Sequence, residues 1–455
     1  MFLIDQLSNI MNMIRISMPI DYGFFANATS LNLIARKMYL ELGKLMNNNK
    51  SFVISATLLN DSSIGNVNQH YDCICVPNMG GYRFPLDSTL KSKNLIVGIV
   101  GIDEVVLGRE VYKTENDWLQ NKPIIEQEII KWKNNIDMIK LVHVSNISEK
   151  NQLIEYLKVP EEKIRIIPYG VDHNLFKPAL DKIDARKKIL KKFLIKETPY
   201  FIHISESNWA RKNVLRLLEA FKKAKSFGIP QKLLIAGKND ELIFKKAKSI
   251  SDVHMLGYVS DEDLTNLLQA SDALINPSIH EGFGLPMLEA MACAIPVITC
   301  NAFSPPEIVG DGGLFVDPRN TDDICSKILE ISKNENLRDN LAAAGLKRSM
   351  DFSWEKTALQ LYELCKEVCP TDDFDFDTYY EKSAFRTLTS ICLTNPKLKR
   401  KFLSSIIKFD FTQLIEWCLS SGLEDPIIKD YLIPLENWME DYSNKTYTTQ
   451  NMEYF

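Results

Sequence analysis

The sequence alternates short β-branched runs with helical patterns, and it does so twice. Between residues 13 and 170, apolar runs such as MIRISMPI, SFVISATLL, YDCICVP and NLIVGIVGI are separated by helical segments. After the charged stretch DKIDARKKILKKFLIKE the alternation starts again and continues to about residue 369. Alternating strands and helices predict a parallel sheet covered on both faces. The chain is therefore predicted to form two doubly wound α/β domains that face one another across a ligand-binding cleft.

The domain boundaries follow from length and from a change in pattern. A chain of 455 residues is too long for one ordinary core. We predict one Rossmann-like domain over residues 1–178 and a second, with a closing helix, over 179–369. The acidic break TDDFDFD then leads into helical patterns only, which predicts a helical extension over 370–440 and a disordered tail over 441–455. The acidic residues with D-x-D spacing in this break follow a predicted helix, and we interpret them as part of a linker.

Composition narrows the class of protein. A net charge of -5 argues against a nucleic-acid binder, which needs clustered excess Lys and Arg. The nine cysteines lack C-x-x-C spacing and indicate reduced thiols in a cytoplasmic protein. The six histidines lack metal-site spacing, so no metal is expected. The basic amphipathic segment 395–409 would either pack as a helix or contact the cytosolic face of an anionic membrane.

The stretch HEGFGLPMLEAMACAIPV, residues 280–297, places Gly-x-Gly and a proline between a strand and an apolar helix. Free amides and the helix dipole at such a turn favour an anion such as a diphosphate. Glu281 precedes the turn and Glu289 lies in the helix, so the two acids address different parts of one ligand. A carboxylate accepts hydrogen bonds from vicinal hydroxyls, which predicts a ligand with sugar, diphosphate and ribose in sequence. The alternative is two surface acids near a helix start.

This stretch, extended to SIHEGFGLPMLEAMACAIPVITC, resembles the E-x7-E donor motif of the retaining glycosyltransferases of family 4, the glycosyl transferases group 1, which have the GT-B fold. The likeness continues through VHMLGYVSDEDLTNLLQASDALINPS, PPEIVGDGGLFVDP, DFSWEKTALQLYELC, NWARKNVLRLLEAF and IPYGVDHNLFKP, and it is only architectural over residues 13–140. It implies metal-independent transfer of a hexose, without a further cofactor, from GDP-mannose or a UDP-sugar to a hydroxyl of a glycan, lipid or protein acceptor, with retention of anomeric configuration.

The resemblance also implies roles for individual residues. Glu281 would contact hydroxyls of the donor sugar and Glu289 the ribose diol, while Lys212 and Arg211 would neutralise the leaving diphosphate. The other residues expected at the donor are Gly282, Phe283, Gly284, Leu285, Lys238 and Gly257. The residues expected at the acceptor or the cleft are Gly23, Asn27 and Asp103.

The chain departs from the family pattern in two places. The Gly-Arg pair that often follows the strand before the lysine is replaced by HISESNW, with Ser205 and Glu206 in that neighbourhood. The histidine that often follows the fourth strand is replaced by Val100 within IVGIVGIDE. These departures leave two alternatives open: a catalytically weak GT-B subunit that binds a protein partner through residues 370–440, and a nucleotide-sugar epimerase. The shortage of histidines near the cleft disfavours the epimerase.

Overall fold

A computed structural model describes residues 14–20, 30–48, 52–58, 73–80, 83, 94–205, 209–238 and 240–369. Several predictions fall on other parts of the chain. Gly23, Asn27 and Glu206 lie outside the described residues, as do the helical extension over 370–440, its amphipathic segment and the tail over 441–455.

The first sheet is built from the apolar runs of the first half of the chain. Its described strands are β1 (Ile14–Ile20), β2 (Phe52–Leu58), β3 (Cys73–Gly80), β4 (Leu95–Val100), β5 (Leu141–Val144) and β6 (Ile164–Ile166). Their order in the sheet is β2-β1-β3-β4-β5-β6, and the pairings are parallel. Burial on both faces explains why β4 reads as the continuous apolar run LIVGIV.

The second sheet repeats the plan in the second half. Its described strands are β7 (Tyr200–Ile204), β8 (Lys232–Ala236), β9 (Val253–Gly257), β10 (Ala273–Asn276), β11 (Val297–Cys300) and β12 (Gly313–Val316). The order β12-β11-β10-β7-β8-β9 reverses direction between β7 and β10. Ligands of doubly wound sheets bind at the carboxyl ends of the strands beside such a reversal. The two parallel sheets confirm the predicted α/β architecture.

Helices connect the strands in both halves. Those of the first half are α1 (Ser30–Asn48), α2 (Asp103–Leu107), α3 (Glu115–Asn135) and α4 (Ile147–Gln152), which continues into a π-helical turn over Leu153–Leu157. Those of the second half are α5 (Lys182–Lys192), α6 (Val214–Ser226), α7 (Glu241–Lys248), α8 (Asp261–Ala270), α9 (Leu285–Ala292), α10 (Pro305–Val309), α11 (Thr321–Lys333), α12 (Glu335–Ser349) and α13 (Trp354–Val368). Among the described helices, none combines the length and apolarity required to cross a membrane.

The last described helix, α13, returns to the first domain. It packs against α1 and against strands β1 and β3 of the first sheet, and Arg165 forms an ion pair with Glu367 near its end. The Trp354 ring stacks on Tyr169 with 6.1 Å between ring centroids, and a parallel β-bridge joins Val171 to Ser353. The chain therefore crosses between the domains at two adjacent points.

Candidate active site

A tight turn ahead of α6 carries Arg211 and Lys212. Asn213, which ends this turn, adopts a left-handed conformation with φ of 59°. Its side-chain amide donates hydrogen bonds to the carbonyl oxygens of Pro277 at 2.9 Å and Pro318 at 2.6 Å. The N–H of Ile279 donates to the carbonyl of Arg211 at 2.9 Å. These bonds fix the basic turn against the segment that follows β10.

Lys212 and Glu281 form a buried ion pair. The Lys212 ammonium lies 2.8 Å from Oε1 of Glu281, and the two residues are only 5% and 4% exposed. The same oxygen accepts hydrogen bonds from Ser278 Oγ at 2.6 Å and from Asn276 Nδ2 at 3.0 Å. Burial by itself raises the pKa of the Glu281 carboxyl, but the charges of Lys212 and Arg211 and these hydrogen bonds hold it well below its ordinary value. Glu281 is therefore a fixed, ionised carboxylate.

Arg211 links this pair to the first domain. Its Nη1 lies 3.3 Å from Oε2 of Glu281 and donates to the carbonyl of His280 at 3.2 Å. On its other side, Nε is 3.7 Å from Oδ2 of Asp103, the first residue of α2. Arg211 therefore lies between the Glu281 carboxylate and the first domain. The structure brings three of the predicted site residues and the predicted cleft residue Asp103 into one cluster.

The glycine turn, residues 282–284, lies directly beside this cluster. Gly284 precedes α9 with φ of 93°, a conformation that side chains with a Cβ rarely adopt. A Cβ on Gly282 would lie 2.8 Å from Oε1 of Glu149 and 3.2 Å from the Gly101 nitrogen, so a close approach of the two domains requires glycine there. Pro286 has no N–H and the N–H of Met287 donates to the carbonyl of Gly284 at 2.9 Å, so the amides that could bind an anion here are those of Phe283, Gly284 and Leu285.

Glu289 lies one turn into α9, separate from the ion pair. Burial raises the pKa of its carboxyl to about 8, and the negative charge of Asp261 contributes to the shift. The group is therefore mainly protonated at neutral pH. Hydroxyl groups that donate hydrogen bonds to it would favour the ionised form.

The second parallel sheet sets the positions of Lys238 and Gly257. Lys238 is exposed just beyond β8, and Gly257 ends β9. The N–H of Gly237 donates to the carbonyl of Gly257 at 2.6 Å, which ties the two strand ends together. Both residues lie at the carboxyl edge of the second sheet, the edge that also carries Glu281. Their contact with a donor stays a prediction.

Four further residues of the site were not predicted. Asn276 and Ser278 hold Glu281, and their signal was available, since they are polar residues at the end of a buried strand. In the first domain, Asn146 Nδ2 donates to the carbonyl of Gly282 at 2.5 Å, and Glu149 is 4% exposed beside Gly282. Those two occupy an ordinary helix start, so the sequence carried no signal for them.

An open cavity of 490 Å³ lies at the rim between the domains. It is lined by Val106 of α2, by α4 and the turn that follows it, including Asn151 and Tyr156, and by Phe303 and Glu307 from the second domain. The Phe303 ring contacts the ring of His280, with 4.4 Å between centroids. The cavity therefore combines aromatic and polar side chains close to the residue that precedes Glu281.

Two Rossmann-like domains that meet at a glycine turn, with a charged cluster beside it, define the GT-B class of glycosyltransferase fold. In agreement, the structure is similar to sucrose-phosphate synthase from Thermosynechococcus elongatus, with a TM-score of 0.61 at 16% identity over 78% of this chain and 99% of that one. Residues 185–348 match the family model described as Glycosyl transferases group 1. The predicted GT-B fold is confirmed, and so is the predicted likeness to glycosyl transferases group 1 over residues 185–348, whereas the finer assignment to family 4 stays a prediction.

Two curated relatives are mannosyltransferases. O-antigen chain mannosyltransferase B of Escherichia coli is 35% identical over 179 residues, which are 38% of this chain and 47% of the relative. MMP alpha-(1->4)-mannosyltransferase of Mycolicibacterium hassiacum is 28% identical over 270 residues, which are 55% of this chain and 60% of the relative. The chain thus spans about half the length of the curated relatives it matches.

Proposed function

We propose that this protein is a hexosyltransferase that moves a sugar from a nucleotide diphosphate sugar to an acceptor hydroxyl. The observation that carries the proposal is the buried cluster of Lys212, Arg211 and Glu281 beside the glycine turn at the start of α9. When the bond between sugar and phosphate breaks, negative charge builds on a phosphate oxygen. Fixed positive charge in a site shielded from water stabilises that charge strongly.

Each member of the cluster has a distinct part in this proposal. Lys212 and Arg211 face the leaving diphosphate, and the amides at the start of α9 bind its oxygens. Glu281 holds the Lys212 ammonium through Oε1 and offers Oε2 to the hydroxyls of the donor sugar. Glu289 accepts hydrogen bonds from the ribose diol. One ligand would then contact both acids, as the spacing of the motif predicts.

The proposal includes retention of anomeric configuration and independence of a divalent metal. The likeness to retaining glycosyltransferases supports the first, with substitution on the same face of the sugar. The second is supported by the position of Arg211 and Lys212, because two cations next to the glycine turn supply the charge that a metal ion supplies in other glycosyltransferases.

GDP-mannose is the donor that we favour, because both relatives described above are named mannosyltransferases. UDP-linked hexoses are the alternative. The acceptor would enter from the first-domain side, where the 490 Å³ cavity offers Tyr156 and Phe303 as aromatic surfaces and Asn151 as a hydrogen-bonding group. A glycan hydroxyl suits such a lining better than an anionic group does, since Glu155 and Glu307 also line the cavity.

A nucleotide screen with the full-length chain tests the proposal. Thermal unfolding is followed with GDP, UDP, GDP-mannose and UDP-glucose, and sugar release from both donors is measured. A nucleotide present at 100 times its Kd should stabilise the protein by about 2.7 kcal/mol. We expect GDP to raise the Tm and GDP-mannose to be turned over. Failure of all four nucleotides to raise the Tm would contradict the proposed donor site.

The same assay separates the enzyme from a catalytically weak subunit. Turnover by the isolated chain supports the enzyme. Nucleotide binding without turnover, followed by turnover once a second protein is added, would instead support the subunit.

A further inference from the structure

Helix α4 and the residue before it contact the second domain at three places. Asn146 Nδ2 donates to the carbonyl of Gly282, and the N–H of Ile147 donates to Oε2 of Glu307 at 3.0 Å. One turn later, Oε1 of Gln152 lies 3.2 Å from Nε2 of His280. One helix of the first domain thus lies along residues 280–282, the chain segment that includes Glu281.

Glu149 lies at the centre of this contact, and its carboxylate joins several backbone groups. Oε1 accepts a hydrogen bond from the N–H of Gly101 at 2.8 Å. Oε2 accepts from the N–H of Ser145 at 2.9 Å and from its hydroxyl at 2.6 Å. Oε1 also lies against the Cα of Gly282, since a Cβ there would be 2.8 Å away. All three hydrogen-bond partners are donors, so an ionised carboxylate suits the site.

A short path connects this carboxylate to the charged cluster. Gly101 follows directly on β4 and precedes Asp103 by two residues. The Asp103 carboxylate is 3.7 Å from Nε of Arg211, and Nη1 of Arg211 is 3.3 Å from Oε2 of Glu281. The hydrogen bond from Gly101 to Glu149 therefore fixes the turn that places Asp103 opposite Arg211.

We propose that Glu149 is a positioning residue for sugar transfer, whose carboxylate holds the Gly101–Asp103 turn of the first domain against Gly282 of the glycine turn. This inference rests on the proposed function, because it concerns the geometry in which Arg211 and Glu281 meet the donor. Glu149 acts through backbone groups and through Asp103, without touching the reacting atoms.

The ionisation of Glu149 gives the proposal a measurable signature. Burial raises the pKa of its carboxyl to about 7, the hydrogen bonds from Ser145 and Gly101 oppose the shift, and the negative charge of Glu307 adds to it. Among the described residues, Tyr169 also interacts with it electrostatically, Asp103 follows Gly101 by two residues, and His280 contacts Gln152 on the same helix. Burial raises the pKa of Tyr169 and lowers that of His280. A protonated Glu149 can donate its O–H to the Ser145 hydroxyl but is a weaker acceptor for the N–H groups of Gly101 and Ser145, so we expect the turn to be held more firmly above about pH 7 than below it.

The experiment compares the pH dependence of kcat for wild type and Glu149→Gln at saturating GDP-mannose or UDP-glucose. For wild type we expect kcat to rise with pH, with an inflection near 7. The side-chain amide introduced by Glu149→Gln would point N–H groups at donors, so this variant should lose the inflection and about tenfold to a hundredfold in kcat at pH 8, with the donor KM changed less than twofold. Glu149→Asp should recover part of the rate. Glu162→Gln, at an exposed position of the first domain outside the cavity lining, is the matched control.

Ser145→Ala provides a second variant that keeps Glu149 in place. It removes the hydroxyl that donates to Oε2, so the inflection should move to higher pH. A residue with only a structural role would lower the Tm of Glu149→Gln and leave both pH profiles unchanged, and that result would overturn the inference. GDP should still raise the Tm of each variant. If wild type turned over neither donor, the proposed function would fail, and this inference with it.

Discussion

The two domains follow the same plan but contribute to the site by different means. The second domain supplies charge, with Lys212, Arg211 and Glu281 packed into one buried cluster beside the glycine turn. The first domain supplies position, through Asn146, Glu149 and the backbone of Gly101, which meet that turn from the opposite side. Buried charges need particular partners and so leave a motif in the sequence, whereas positioning by backbone contacts leaves almost none.

The largest effect should come from the charge of the second domain. Lys212→Ala removes the cation that we propose faces the leaving diphosphate, and we expect kcat to fall by about 10²- to 10³-fold. It also leaves Glu281 with one fewer partner in a buried site, so the free energy of unfolding should fall by about 3 kcal/mol.

Activity per folded protein is measured by GDP-mannose turnover, with circular dichroism for the folded fraction. Lys222→Ala, at an exposed position of α6, is the control and should have no effect. Full activity of Lys212→Ala would contradict the claim that the second domain supplies the charge and the first domain supplies position.

Gly282→Ala tests the place where the two domains meet. Its Cβ would lie 2.8 Å from Oε1 of Glu149 and 3.2 Å from the Gly101 nitrogen, so the domains must separate locally. A small displacement of reacting groups is costly, and we expect kcat to fall by about tenfold to a hundredfold.

Binding of GDP should change little in this variant, because the contact that is broken joins Gly282 to the first domain, whereas the proposed nucleotide site lies in the second domain. Nucleotide titration by thermal shift and steady-state turnover separate the two effects. If Gly282→Ala weakened GDP binding as much as turnover, the glycine would serve the donor rather than the contact between domains.

A third prediction concerns pH and Glu289. The pKa of its carboxyl is raised from 4.5 to about 8, so the free protein is mainly protonated there at pH 7. Ribose hydroxyls that donate to the ionised form would drive proton release. Affinity for GDP should therefore rise by up to about tenfold between pH 7 and pH 9.

Calorimetry in two buffers of different ionisation enthalpy measures that proton release, and Glu289→Gln should abolish it. Without nucleotide the sign is opposite: the folded state holds the proton more tightly than the unfolded state, so Glu289 makes stability fall as pH rises from about 4.5 to 8. An affinity that does not vary with pH would show that Glu289 does not bind the ribose in its ionised form.

The smallest effect is expected at Gly43 in the first domain. This residue lies within α1, and a Cβ built on it meets nothing within 4 Å. Gly43→Ala should raise the free energy of unfolding by about 0.5–1 kcal/mol, because alanine restricts the unfolded chain more than glycine does. Chemical denaturation measures it. A loss of stability would show that Gly43, like Gly282, is in close contact with its surroundings, and would remove the contrast between the two glycines.

The sequence predicted the fold and much of the charged cluster. Alternation of apolar runs gave both parallel sheets, and the motif identified Glu281, Lys212 and the glycine turn as neighbours. The motif did not predict that Lys212 and Glu281 would pair with each other, with Asn276 and Ser278 completing the same oxygen's contacts.

The contribution of the first domain was harder to predict. Asp103 was expected only in general terms, at the acceptor or the cleft, and it lies opposite Arg211. Glu149 reads as an ordinary acid in the first turn of a helix, which normally complements the helix dipole. Its burial depends on residues more than a hundred positions away, and such contacts are a property of the tertiary fold, not of the local pattern.

The return of α13 to the first domain has a mechanical consequence. The chain passes between the domains near Val171 and again near Ser353, and a β-bridge holds these two crossings side by side. These two adjacent connections act as a hinge between the domains. If one domain slid or twisted against the other, one connection would be stretched. Rotation of the domains about the line that joins the two connections strains neither. A cut between Arg348 and Trp354 would leave the second sheet intact but would separate it from α13, the helix that packs on α1. A separately produced first domain therefore needs residues from both ends of the described chain.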